Sequence, residues 1–316
     1  MLAEPVSTTQ GYVASLCSFP ELAFQEERTA QTIAHRLEAL GLVVTTGIAA
    51  TGVVGLLKGA GPGPTLMLRA DMDALPVQET SERPYRSQSP GVMHACGHDG
   101  HVAALLTVAA ILARHREALK GNVKLLFQPA EETMSGAREM IAQGVMDNPR
   151  VDRAMGFHLW NSLPLGQIGV KPGAIFAGAD ELRLVVKGKG GHGALPHLAV
   201  DPVTMSAQVV STLQTLVSRE RHPTKGAVLT IGTIHGGTAF NVIADEVEMR
   251  GTLRTFDEEL RQTLLRRIPE MMAGVCAAMQ GTFEFQHVRG GPPVENDPAV
   301  AGFVASLASR IVGEGN

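Results

Sequence analysis

The sequence predicts an α/β protein whose mixed, mainly parallel sheet carries the chemistry, with a ferredoxin-like α+β domain inserted into it. Three observations predict this. Between residues 27 and 159, helix-like and strand-like patterns alternate. Over residues 180–288 the order becomes β-α-β-β-α-β. In the first of these regions, acids and histidines fall directly after strands, and ligands bind open α/β sheets beyond the carboxyl ends of the strands.

The elements follow in order. Ala30, Ile33, Ala34, Leu37 and Leu40 recur at helical spacing, and Gly41 stands where a C-terminal cap belongs. Strand-like runs occupy residues 53–57 and 65–70, followed by a strongly apolar helix within 102–115. A buried strand is expected at 123–127 and another around 154–159. After about residue 179 the rhythm changes. A strand at 181–187 leads to a helix over 203–218, entered through Asp201 and Pro202, and then to strands at 227–233 and 246–254. A second helix starts at Asp257, with Glu258 and Glu259 in its first turn where carboxylates suit the helix dipole, and a strand at 282–288 closes the unit. The Gly/Pro-rich residues 289–293 read as an exit hinge. The expected domains are therefore 1–179, the first part of a catalytic domain; 180–288, the insertion; and 289–316, the return.

Composition narrows the function. The chain has 316 residues, 44% hydrophobic and 18% charged, with a formal net charge of -4, which gives no electrostatic basis for binding nucleic acid. No stretch approaches the roughly 20 apolar residues of a membrane span, and residues 1–11 lack the basic-then-apolar pattern of a signal peptide, so the cytoplasm is the expected location. Three widely separated cysteines, Cys17, Cys96 and Cys276, argue for reduced thiols.

The chemistry-bearing residues lie in three clusters. Cys96 and His98 place a thiol and an imidazole two apart, a donor pair suited to borderline transition metals. Glu131 and Glu132 follow the apolar strand at 123–127, where adjacent carboxylates repel each other unless a cation is present. Otherwise such a pair belongs on a solvated face. With a cation, one carboxylate coordinates and the other remains free to take a proton from water. His158, in an apolar context that would suit a buried structural histidine, is a third candidate ligand. His192 sits in a glycine-rich stretch and Arg254 at a strand end; from the residues alone, a surface loop and a surface arginine remain the plainer readings.

Arg69-Ala70-Asp71-Met72-Asp73-Ala74-Leu75-Pro76, His94-Ala95-Cys96-Gly97-His98-Asp99, Phe127-Gln128-Pro129-Ala130-Glu131-Glu132, Gly188-Lys189-Gly190-Gly191-His192 and Asn241-Val242-Ile243 appear in that order along nearly the whole chain. Together they resemble the M20 metallopeptidase family, in its amidohydrolase branch of hippurate hydrolases, N-acyl-amino-acid amidohydrolases and auxin-conjugate hydrolases. The resemblance implies Cys96, His98, Glu132 and His158 as ligands of one or two divalent ions (zinc, manganese, cobalt or nickel) and Glu131 as general base. It implies that Asp73 orients the metal site, and it leaves the role of Asp71 open. It implies that His192 reaches the active site of a partner subunit in a homodimer, and that Asn241 and Arg254 hold a substrate carboxylate. The implied substrate is a small N-acylated amino acid; a dipeptidase and a carbamoyl-amide hydrolase are the alternatives. Two departures from the family pattern, Cys17 and Ala244, are expected to leave the chemistry untouched. Family members continue beyond a point corresponding to Asn316, to a further histidine ligand. The sequence is therefore read as C-terminally truncated, and an inactive fragment is the remaining alternative.

Overall fold

The computed structural model describes residues 3–315, which divide after Ser162 into two compact units. The first contains, in chain order, helix α1 (Ala3–Ser18), helix α2 (Glu27–Ala39), strands β1 (Val43–Ile48), β2 (Gly52–Lys58) and β3 (Gly61–Asp71), helix α3 (His98–Arg114), strand β4 (Lys120–Gln128), helix α4 (Gly136–Ala142) and strand β5 (Arg153–Gly156). The sheet order is β1-β2-β4-β3-β5. β3 runs parallel to both β4 and β5, whereas β1 with β2 and β2 with β4 are antiparallel. The sheet is thus mixed, as expected, but two pairings of each kind replace the mainly parallel sheet. The cause is β1, a strand absent from the sequence reading, which turns back on β2 through a tight hairpin that alternation over 53–57 alone does not announce.

Helical periodicity dictates how α2 packs. Thr29, Ala30, Ile33, Ala34 and Leu37 form its buried stripe. They meet Val102, Leu105, Leu106 and Ala109 of α3 and Val53, Leu57, Val123, Leu125 and Phe127 of the sheet in one core. The alternate strand positions Val54, Met67 and Leu126 point to the other face and pack with Met140 and Val145. Helices therefore cover both faces, which is why β4 is buried almost throughout.

The second unit contains β6 (Gly173–Phe176), β7 (Gly178–Lys187), β8 (Gly191–His192), α5 (Pro202–Thr215), β9 (Ala227–Gly236), β10 (Val242–Ile243), β11 (Glu246–Thr255), α6 (Glu258–Ala278), β12 (Thr282–Arg289), β13 (Val294–Asn296) and α7 (Pro298–Val312). Its four-stranded antiparallel sheet has the order β12-β7-β11-β9, with α5 and α6 as the two crossovers. That is the β-α-β-β-α-β arrangement read from the pattern. The caps also fall where expected: Asp201 accepts from the amides of Val203 and Thr204, and Asp257 from that of Leu260. Leu182, Leu184, Val186, Val247, Met249 and Leu253 of the sheet close a separate core against Met205, Val209 and Leu213 of α5 and Leu264, Ile268 and Met272 of α6. Within it, the bidentate pair of Arg261 and Asp180, with two N–H···O bonds of 2.6 Å, is almost wholly shielded from solvent. Flanking this sheet, β13 pairs antiparallel with β6. No helix is long and apolar enough to cross a membrane among the described residues.

Candidate metal centre

Three parallel strands bring the clusters together. β3 ends at Asp71, opposite Gln128 at the end of β4, and β5 ends at Gly156, opposite Arg69. The chain beyond each end supplies Asp73, then Glu131 and Glu132, then His158. The last lies two residues past its strand rather than within it. The fourth contribution is the first turn of α3, where Gly97 holds a left-handed φ of 84° that only glycine adopts without strain. This turn sets Cys96 just ahead of the helix and makes His98 its first residue.

His98 is the centre of the cluster and is 1% exposed. Its donor atoms share space with those of Cys96 and His158, and also with those of Glu131 and Glu132; in each set the candidate ligand atoms lie within 4.8 Å of one another. Cys96 Sγ is 3.3 Å from His158 Nε2. His98 Nε2 is 3.9 Å from Glu132 Oε1, and neither buried atom has a hydrogen-bond partner. Stripping water from such groups without a partner is costly. A divalent cation between them removes that cost, and thiolate, imidazole and carboxylate donors suit it. The residues present fit a metal.

Asp73 orders this set. Its backbone carbonyl accepts from His98 Nδ1 at 2.9 Å, and its Oδ2 accepts from the backbone amide of Glu132 at 3.0 Å. It thus holds both an imidazole and a carboxylate in place. Asp71 binds Arg69 through Oδ2 at 2.7 Å and His101 through Oδ1 at 2.6 Å. Burial alone would raise the Asp71 carboxyl, but the His101 hydrogen bond and the Arg69 charge outweigh it and hold the group well below the usual carboxylate range. Burial tends to lower His98, yet hydrogen bonding to Asp73, the adjoining Cys96 and the charges of Asp71 and Asp73 push it up to about 11. A pocket this negative retains a proton where a metal would otherwise sit. Burial, reinforced by the negative charge of Asp71, raises the Glu131 carboxyl, a shift towards the range of a working general base.

Sequence reasoning missed two buried groups of this site. His101 follows His98 by three positions on α3, a spacing that places both on one helical face and could have flagged it. Glu26 is fully buried; it accepts from Thr51 Oγ1 at 2.5 Å and from the amide of Ala130, next to Glu131, at 2.9 Å. Nothing in the surrounding Gln25-Glu26-Glu27 sets it apart from a helix-start acid.

The predicted substrate residues lie in the second unit. His192 pairs with Val242, and the amide of Gly193 donates to the carbonyl of Asn241 at 2.8 Å, so His192 and Asn241 are neighbours. Arg254 is not near them. It occupies the far end of β11, bound to Thr252 Oγ1, eight residues or about 27 Å along the strand from Glu246.

A model of peptidase family M20/M25/M40 matches residues 67–316. The chain belongs to this family. It is 44% identical over 292 residues to the N-acyl-L-amino acid amidohydrolase of Geobacillus stearothermophilus, covering 91% of this chain and 78% of that one. It is 40% identical over 295 residues to an N-acetyl-L-cysteine deacetylase of Bacillus subtilis, covering 93% and 70% respectively. Among solved structures it resembles the Bacillus subtilis YXEP protein, described as a dinuclear metal binding peptidase of family M20. There the TM-score is 0.83 at 35% identity, over 98% of this chain and 80% of that one. This M20 chain is a metal-dependent hydrolase.

Proposed function

We propose that this M20 hydrolase cleaves the amide bond of small N-acylated amino acids, releasing a carboxylic acid and an amino acid. The observation that carries the reading is the pair of unpartnered buried atoms, His98 Nε2 and Glu132 Oε1, beside Glu131, whose carboxyl is raised by burial. The names of the amidohydrolase and deacetylase relatives support the substrate class. Cys96, His98, Glu132 and His158 hold one or two divalent ions, zinc, manganese, cobalt or nickel, which supply Lewis acidity and make water a better acid. Glu131 takes the proton of the attacking water and returns it to the leaving amine. Asp73 keeps His98 and Glu132 in register.

His192 polarises the scissile carbonyl, and Asn241 and Arg254 hold the substrate carboxylate. Arg254 lies at the opposite end of β11 from His192 and its neighbour Asn241, so one copy of the second unit cannot bring them to the same small substrate, which supports a homodimer in which His192 and Asn241 act on the partner's substrate. We further read residues 180–288 as the inserted dimerisation and lid domain between 1–179 and the returning 289–316. Its self-contained core and the β6–β13 pairing that joins its two flanks support this. The free thiols of Cys17 and Cys276 accord with a cytoplasmic setting.

A panel of N-acetyl and N-benzoyl amino acids, dipeptides and N-carbamoyl amino acids, assayed before and after chelation, tests the reading. Turnover of the N-acyl compounds that chelation abolishes and added metal restores is expected. Preference for dipeptides or carbamoyl compounds would transfer the assignment to those activities, and activity that survives chelation would end it.

A further inference from the structure

We infer that Asp71 and His101 act as a positioning pair for His158, working through the backbone of Leu159. The inference rests on reading His158 as a metal ligand.

Each bond in the chain has only one possible direction. The amide of Leu159 can only donate, and it lies 2.9 Å from His101 Nε2, so that nitrogen is the acceptor. The ring proton is therefore on Nδ1, which donates to Asp71 Oδ1 at 2.6 Å. Arg69 fixes the other oxygen of Asp71, and its own Nε and Nη2 are tied to Gln128 Oε1 at 2.9 and 2.7 Å. At the other end, the carbonyl of Leu159 accepts from His158 Nδ1 at 2.6 Å, which turns His158 Nε2 towards Cys96 Sγ. The ring of His101 also buttresses that of His158 edge-on, with centroids 4.7 Å apart.

Leu159 is anchored a second time by its side chain. A Cβ added at Gly100 would stand 2.6 Å from Leu159 Cδ1, so glycine at the start of α3 leaves the space into which this side chain docks. The peptide following His158 is thus held by a hydrogen bond on one side and a close apolar contact on the other. Both come from the turn that also carries His98.

His101 has ligand chemistry and lies within 4.8 Å of Asp71 and His98 donors. Both its nitrogens are committed, however: Nδ1 carries the donated proton and Nε2 has spent its lone pair. It acts as a support rather than as a ligand, and Asp71 fixes its tautomer.

Two substitutions separate the halves of the device. His101→Asn retains an N–H where Nδ1 was and loses the acceptor for Leu159; His101→Gln places a carbonyl oxygen where Nε2 was. Titration of the metal-free full chain with Zn2+ is expected to show His101→Asn binding about 10–100-fold more weakly than wild type, with stoichiometry unchanged, and His101→Gln recovering most of the loss. Wild-type affinity in His101→Asn, or one equivalent of Zn2+ lost in both variants, overturns the positioning role. Wild-type protein that binds no Zn2+ instead overturns the ligand assignment itself. Should a variant fail to fold, hydrogen exchange of the Leu159 amide in the metal-free wild type still decides. Protection is expected, and exchange at the rate of an open loop amide overturns the inference.

Discussion

His98 donates from Nδ1 to the backbone carbonyl of Asp73 at 2.9 Å. A carbonyl oxygen can only accept, so this bond fixes a ring proton on Nδ1 and leaves Nε2, which faces Glu132, as the nitrogen that would exchange its proton for a metal. A main-chain atom, which substitution of the Asp73 side chain would not remove, thus sets the tautomer of the most buried candidate ligand.

Glu131→Gln removes the proton carrier and keeps the shape of the pocket. The expected result is a fall in kcat of about 10²–10⁴-fold with bound metal unchanged, measured by steady-state kinetics alongside elemental analysis. Near-normal kcat would assign proton transfer to another group.

Glu26, which supports the Glu131 loop without being a candidate ligand, predicts a pH signature in stability. Burial raises its carboxyl pKa, and the hydrogen bonds from Thr51 and Ala130 offset this only in part. An acid with a raised folded pKa binds more protons folded than unfolded within the window between the two values. Stability therefore falls as pH rises through that window, and the penalty is absent below the unfolded pKa of about 4.3. Glu26→Gln cannot ionise and should gain on wild type from about pH 4 upward, then hold a constant offset. Urea midpoints of both proteins across pH 4–7 measure this, and parallel curves would contradict it.

Lys124 is 3% exposed on β4, and its ammonium donates to the carbonyls of Val145, Asp147 and Pro149 at 2.8, 2.7 and 2.9 Å. Lys124→Met fills the stem but strands three acceptors. The first unit should lose about 3 kcal/mol, read as a shift in denaturant midpoint. A loss near zero would mean that water replaces the ammonium.

The Arg261 and Asp180 pair offers a double-mutant test in the second unit. Arg261→Met leaves a buried carboxylate without its partner and should cost about 3–5 kcal/mol. Adding Asp180→Asn should recover part of that loss, because the stranded charge is gone. If the double variant is no more stable than Arg261→Met, the cost comes from lost packing.

What the sequence made legible was local. The helical stripe of α2, the caps at Asp201 and Asp257, and the β-α-β-β-α-β order are set by near neighbours and read directly. The residues that carry metal chemistry were legible because Cys96 and His98, and likewise Glu131 and Glu132, adjoin in the chain. The groups that position them were not. Glu26 meets Ala130 across 104 positions, and His101 meets Leu159 across 58, and neither pairing leaves a periodic trace. Strand β1 escaped for a related reason: Val43-Val44-Thr45-Thr46 at the sheet edge is mostly exposed and shows no clear alternation. The separation of Arg254 from His192 is likewise a property of strand length and pairing, invisible until β11 is laid beside β7.

The ladder between β6 and β13 joins residues 176 and 294 across the whole β-α-β-β-α-β unit. Closing so long a loop from an unfolded chain is entropically expensive, but the span shrinks once the intervening residues have condensed. The order of assembly follows: the enclosed unit forms first, and the clasp at its two ends fastens late. Pulse-labelling of amides during refolding should find the strands β7 and β11 protected before those of β6 and β13.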